Sequence, residues 1–422
     1  MADVRPFHAL RFNPQVVRDL SAVLCPPYDI ITPAQQEELY RKSPYNIVRL
    51  EWGKVLPGDG PQQNVHSRAA EFFRSWVWEG VLVRDKAPAL YLMQEQWGEG
   101  EASRRLVLFA RVRLEEFGRR VIFPHEDTIS APKEDRFRLL QACGLNISPL
   151  LMLYADPGGL WSLLQEAARR PPEVQARSWE GVAYRFWALR DAPLMEEVRA
   201  RLSPGPLYIA DGHHRYETAL RYRDWRRGQE REKGEAPYDF VLAGLAALDD
   251  PGLRILPIHR VIQGPPEALQ AVRRRVQEAF QREPYPLGGF SLAEVKGFLA
   301  FLERQPLEPP AFGLLDGTGG DTWLLRLTAP LPTPAVPALL RCDTWTLHQV
   351  LPRDNALEFH FLHDLGTVVE AVQSRRALAF LLRPLRPETF EAVVRSGERL
   401  PPKSTYFVPK LPTGLVLYSL EK

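Results

Sequence analysis

Apolar and polar positions alternate along this chain in short runs, punctuated by Pro, Gly, Asn and Asp. Thr32-Pro33 opens a helix to about Tyr40, with Thr32 suited to the N-cap and Pro33 to the first turn. From Gln63 to Glu79 the residues Ala69, Phe72, Phe73, Trp76 and Val77 recur at helical spacing, and Gly80 ends the run. Ile47–Leu50, Ala89–Gln96, Leu106–Leu114, Val121–Phe123, Leu150–Tyr154 and Val182–Leu189 read as strands. Phe240–Leu248 is an apolar run closed by Asp249-Asp250-Pro251, a buried strand or a short helix, and Ile255–Ile262 is extended. Near Pro265 the character shifts. Helices are expected over Pro266–Phe280, Leu292–Leu302 and Val368–Ser374. Strands are expected near Ala311–Leu315, Trp323–Leu327, Ala377–Leu382, Ser404–Val408 and Leu415–Tyr418. Helices and strands alternate without a strict βαβ rhythm, so the fold is expected to be mixed α/β (α+β). The expected divisions are a core over 1–264, an appended or inserted α/β lobe over 265–340, and a segment over 341–422 that returns to the core.

Composition narrows the class. The chain has 422 residues, 45% hydrophobic and 25% charged, as in an ordinary globular protein of two or three lobes. A net charge of +2 gives no strong pull toward nucleic acid. Arg223, Arg226 and Arg227 are followed by Glu230 and Glu232, which reads as a solvated helix end. Cys25, Cys143 and Cys342 are far apart and form no CxxC pair, which excludes a zinc ribbon or redox dithiol by spacing. No signal-like or membrane-length apolar run is found, so a cytoplasmic protein is expected. Thirty-nine prolines and four methionines lean toward a thermophile.

Candidate chemistry concentrates at Leu207-Tyr208-Ile209-Ala210-Asp211-Gly212-His213-His214-Arg215. An apolar run, read as a buried strand, turns at glycine into a helix-forming segment. Such a turn presents backbone N–H groups and the positive end of a helix dipole, which favour an anion such as phosphate. Arg215 adds a fork of donors for two phosphate oxygens. Asp211 could hold a metal or take a proton, and His213 or His214 could stabilise developing charge. Asp-Gly is also a common turn pair. Neither G-x-G-x-x-G nor a Walker sequence is found, so no standard dinucleotide or P-loop site is expected.

Four further clusters carry weaker signals. His125-Glu126-Asp127-Thr128 follows the strand at Val121, with Lys133, Asp135 and Arg136 on the next helix. Acids at a strand end and cations one helical turn on suit Mg²⁺ and phosphate, or simply a salt-bridged cap. Pro26-Pro27-Tyr28-Asp29 could position a hydroxyl in a rigid turn, with Pro44-Tyr45-Asn46 beyond it. Pro402-Lys403-Ser404-Thr405-Tyr406-Phe407-Val408-Pro409-Lys410 resembles the tail of a P-loop without its glycines. His360 and His363 would share a face if helical, with a structural role favoured over metal binding.

In their order along nearly the whole chain, the segments around Cys25, Asn46, His125, Asp211 and Lys403 resemble the bacterial and archaeal family called domain of unknown function 1015. More distantly, Asp-Gly-His-His-Arg is similar to the phosphate-binding turn of the ParB/sulfiredoxin-like fold, which includes free-serine kinases. That resemblance implies a phosphate-binding core with an appended lobe. It implies that Gly212, His213, His214 and Arg215 cradle nucleotide phosphates. No motif carries over the base; Asp29, Glu126 and Asp211 are the candidates. No cysteine lies near Asp211 in sequence, which argues against sulfinic-acid reduction.

The reading is a small-molecule kinase using ATP or ADP with Mg²⁺ on a hydroxyl compound, best L-serine. Asp211, His213, His214, Glu126 and Asp29 are the catalytic candidates, and Asp211 and Glu126 the metal candidates. Gly212 to Arg215 with Lys403, Ser404 and Thr405 would bind phosphate. Tyr28, Asn46, His125, Thr128, Lys133 and Arg136 would bind substrate. The rival is a non-catalytic nucleotide-sensing or nucleic-acid-binding ParB-like module, against which the near-neutral charge counts.

Overall fold

The computed structural model describes residues 1–127, 130–229, 234–352, 354–374 and 377–421. They form two compact units. The first comprises Met1–Pro124, Thr128–Leu253 and Pro409–Lys422; the second comprises His125–Asp127 and Arg254–Val408. Both mix helices with sheet, so the fold is α/β in the mixed sense the alternation predicts.

The first unit is built on a nine-stranded sheet. Its order is Ile122–Pro124, Leu207–Asp211, Leu150–Tyr154, Phe240–Ala247, Arg104–Arg113, Leu90–Gln96, Ala183–Leu189 and Val174–Arg177, with Val4–Arg5 beside Arg104–Arg113. Leu207–Asp211 runs parallel to Ile122–Pro124 and antiparallel to Leu150–Tyr154. Residues of the central strands are buried on both faces, which is why they read as unbroken apolar runs. On one face Leu160, Leu164, Val198, Tyr216 and Leu220 from three helices pack against the sheet. A separate core gathers Leu10, Leu39, Ile47, Trp76 and Leu145.

Local signals explain several elements. Thr32 and Gln35 make a reciprocal capping box at the start of Pro33–Lys42. Asn64 caps Val65–Trp78 the same way. The expected strand at Ile47–Leu50 is instead the helical turn Val48–Glu51. Asn46 accounts for the difference: its Oδ1 accepts from Val48 N at 3.0 Å, and its Nδ2 donates to the carbonyls of Ala22 and Leu24.

The chain's last segment is pinned into this unit. Glu95 and Arg105 face each other on neighbouring strands, both wholly buried and ion-paired. Arg105 also donates to the carbonyl of Pro409 at 2.7 Å, fixing the residue before Lys410. Cys25 and Thr413 exchange backbone hydrogen bonds, bringing the Pro26-Pro27-Tyr28 turn alongside the same segment.

The second unit has a six-stranded antiparallel sheet, ordered Phe280–Pro284, Asp321–Leu327, Ala311–Asp316, Ala377–Leu381, His259–Gln263 and Glu358–Leu362. Pro266–Ala279 and Leu292–Glu303 contribute to separate cores. His360 lies on a strand, not on a helix, and bonds Gln263 at 3.2 Å; His363 stacks on Tyr406 with ring centroids 3.8 Å apart. The helical spacing that would have paired the two imidazoles does not exist. Among the described residues no helix is long and apolar enough to cross a membrane.

Candidate functional site

The Asp-Gly-His-His-Arg turn sits at the end of a buried strand. Ile209 pairs with Met152 and Asp211 with Leu151, so Ala210 is an extra residue, a bulge. Bulges re-aim the side chain that follows, here Asp211. Gly212 then adopts φ +95°, and the helix His213–Gln229 starts at the next residue. A Cβ at Gly212 would lie 2.6 Å from Leu150 Cδ2 and 3.0 Å from the Arg215 guanidinium. Only glycine meets both the left-handed backbone and the close approach.

Asp211 holds two cations. Its Oδ2 accepts from Arg215 Nη2 at 2.6 Å, and its Oδ1 accepts from Lys410 Nζ. Arg215 also donates to the carbonyl of Pro149 at 2.7 Å. The side chains of Asp211, Arg215 and Lys410 are 14%, 10% and 12% exposed. Burial alone would raise the Asp211 carboxyl; Lys410 and Arg215 overcome it and hold the group below the usual carboxylate range. Asp211 is therefore a poor proton acceptor. With both oxygens taken by cations, it does not fit the metal-ligand role assigned from sequence. Among the described residues no cluster of His, Cys, Asp or Glu could hold a metal ion. His213 is buried and His214 half-buried, its carbonyl accepting from Thr218 at 2.6 Å.

A second group neighbours the first within the same unit. The Arg136 guanidinium lies over the Tyr28 ring at 4.2 Å and donates to the carbonyl of Glu51 at 2.8 Å. Its Nε and Nη2 go to Asp135, which also accepts from His66 at 2.9 Å. Against the effect of burial, His66 and Arg136 hold the Asp135 carboxyl down at about 2. Burial pushes the Tyr28 hydroxyl up to about 12, with Arg215 and Arg136 opposing and Asp29 and Glu51 reinforcing. Asp29 is exposed, and among the described residues nothing donates a side-chain hydrogen bond to it. Its charge still acts on Arg215 and Tyr28. A cavity of about 360 Å³ is lined by Glu51, Trp52, Lys54, His66, Asp135 and Arg136. A smaller one, about 40 Å³, is lined by Glu51, Arg136, Leu150, Arg215 and others.

The other sequence candidates divide. Asn46 is wholly buried, and its amide is spent on backbone, which closes it to a substrate. Lys133 pairs with Glu217 at 2.8 Å and ties two helices together. The His125 loop and the Lys403 segment do meet, within the second unit. His125 is buried, bonds Thr405 at 2.9 Å and packs against Phe390 and Phe407. Glu126 accepts from the Lys403 backbone N–H at 3.3 Å, and Asp127 pairs with Arg399. Ser404 is buried, donating to the carbonyl of Pro401 at 2.6 Å and bonding Thr344. These contacts make His125, Ser404 and Thr405 parts of a packed structural joint, and among the described residues no metal-holding cluster forms at Glu126. Thr128 lies outside the described residues. Two residues carry more than sequence assigned them. Lys410, at the end of the Lys403 motif, reaches Asp211, and Glu51 directly follows the run Ile47–Leu50 expected as a strand and closes the helical turn found there.

A family model described as a protein of unknown function, DUF1015, matches residues 4–345, and the chain belongs to that family. No curated protein matches the sequence. Among solved structures it is similar to a conserved hypothetical protein from Pyrococcus furiosus at 14% identity, covering 76% of this chain and 97% of that one with a TM-score of 0.37. A free serine kinase in complex with AMP is 14% identical, with 75% and 91% covered and a TM-score of 0.38. A C-terminally truncated SbnI from Staphylococcus aureus is 12% identical, with 74% and 87% covered and a TM-score of 0.38.

Proposed function

We propose that this chain is a cytoplasmic phosphotransferase that moves a phosphoryl group from ATP or ADP to the hydroxyl of a small molecule, with L-serine the acceptor implied by the sequence resemblance. One observation carries the reading. A bulged strand turns through Gly212 directly into a 17-residue helix, with Arg215 and Lys410 locked around Asp211 beside the turn. The helix start supplies oriented dipoles for an anion, and two cations against one carboxylate leave that three-residue cluster with one net positive charge.

Phosphoryl transfer needs positioning and charge neutralisation more than covalent chemistry. Donor phosphates would lie against the turn at Gly212 to Arg215. His214, in the first helical turn, would meet charge developing on the transferred group. Asp211 would act as a positioning residue, holding the Arg215 fork and the Lys410 ammonium. Asp29 is the best-suited base, because its exposed carboxylate is uncommitted. The acceptor oxygen forms the new O–P bond as its proton passes to Asp29, and the donor's bridging O–P bond breaks to release the shortened nucleotide. The substrate nucleotide would bring its own Mg²⁺, since Asp211 is occupied by cations. Incubation with Mg²⁺ and ATP or ADP plus hydroxylated metabolites, read by mass spectrometry, tests the reading. A phosphorylated acceptor supports it; no donor consumption with any acceptor refutes it.

A further inference from the structure

The helical turn Val48–Glu51 ends on a carboxylate that is 1% exposed. Among the described residues its Oε1 accepts no hydrogen bond. Arg136 Nη1 is 3.9 Å away, beyond hydrogen-bond reach, and donates to Glu51's own carbonyl. The rest of the Arg136 fork is committed to Asp135. A buried carboxylate oxygen without a donor is costly and is retained where a ligand supplies the missing proton donor. Glu51 also lines both cavities. The larger one is the size of a small-molecule pocket. The smaller one is lined by Arg215 as well, so Glu51 stands between the pocket and the phosphate-turn arginine.

We propose that Glu51 receives the primary ammonium of the phosphoryl acceptor, which makes the acceptor a small amino alcohol or hydroxy amino acid. An anion would be repelled by this carboxylate. A metal would find a single carboxylate, because both Asp135 oxygens are held by His66 and Arg136. A neutral hydroxyl would satisfy the hydrogen bond alone, whereas the carboxylate's charge is met only from beyond hydrogen-bond reach, by Arg136 Nη1 at 3.9 Å and by Arg215. An ammonium answers both needs. The identity of this ligand as the acceptor rests on the phosphotransferase reading; its binding at Glu51 does not.

Calorimetric titration of the full chain without nucleotide tests this. The probes are ethanolamine and L-serine, with ethylene glycol and glycolate as counterparts lacking the amine. The amines should bind at least about tenfold more tightly than their counterparts. Glu51→Gln, which keeps the shape and removes the charge, should lose that margin while its affinity for ATP or ADP is retained. The inference is overturned if amine-free probes bind as tightly, if neither amine binds, or if folded Glu51→Gln keeps wild-type affinity. Should Glu51→Gln fail to fold, the wild-type preference alone decides. Glu51-dependent amine binding in a protein that never consumes nucleotide would sustain this inference and remove the phosphotransferase reading.

Discussion

Arg215 reaches back one helical turn and donates to Asp211 at 2.6 Å, spanning the glycine from which the helix begins. Strand end and helix start are thereby clamped together, and Lys410 closes the clamp on the other carboxylate oxygen. The turn's shape and its charge depend on the same three side chains.

Lys410→Met removes one of the two cations on Asp211. Turnover should fall at least about a hundredfold, because developing phosphoryl charge loses a neutralising group. Stability should fall by only about 1–3 kcal/mol, since Arg215 still compensates the carboxylate. Kinetics and urea unfolding on the same preparation separate the two effects.

Gly212→Ala tests the turn's geometry. The added methyl meets Leu150 and the Arg215 guanidinium and forces a residue with a side chain to φ +95°. The expected cost is about 1–3 kcal/mol, with a displaced Arg215. Chemical denaturation should register the loss.

Arg105 links fold to site. It is fully buried against Glu95 and holds Pro409, the neighbour of Lys410. Arg105→Met leaves Glu95 as an unpaired buried carboxylate, at a cost of about 3–5 kcal/mol. Turnover should drop as well, since the backbone preceding Lys410 loses its anchor. Undiminished thermal stability in this variant would contradict the assignment.

In the second unit, pH acts through His259. Its Nδ1 accepts from Leu382 N at 3.1 Å, a bond only the unprotonated nitrogen can make. Burial, aided by Arg260 and His363, lowers its pKa to about 3. A folded-state pKa below the unfolded value means stability is present above about pH 6.5 and is lost as pH falls toward 3. Between pH 7 and pH 5 this group should remove about 2 kcal/mol of unfolding free energy. His259→Asn, whose carbonyl can still accept from Leu382, should flatten that slope in equilibrium denaturation.

The sequence made the architecture and one side of the site legible, for a physical reason. Strands buried on both faces, such as Leu207–Asp211 and Phe240–Ala247, are continuous apolar runs, and helix starts carry capping signals such as Thr32 with Gln35. The Gly212 turn was readable because its residues are contiguous. The pairing of Lys410 with Asp211 and the isolation of Glu51 were not, because they arise from partners distant in sequence: Arg105 and Cys25 in fixing the last segment, Arg136 and Asp135 in leaving Glu51 without a donor. The same blindness made Asn46, His125 and Ser404 look like ligands, when each spends its polar atoms inside the fold.

The central claim is that the turn from Asp211 to Arg215 receives nucleotide phosphate. Titration of ADP, ATP and adenosine into the wild type and Arg215→Ala tests it most directly. The account predicts that the variant weakens ADP and ATP at least about thirtyfold, some 2 kcal/mol, and leaves adenosine unchanged. Equal affinity of a folded Arg215→Ala for the phosphorylated nucleotides would contradict it.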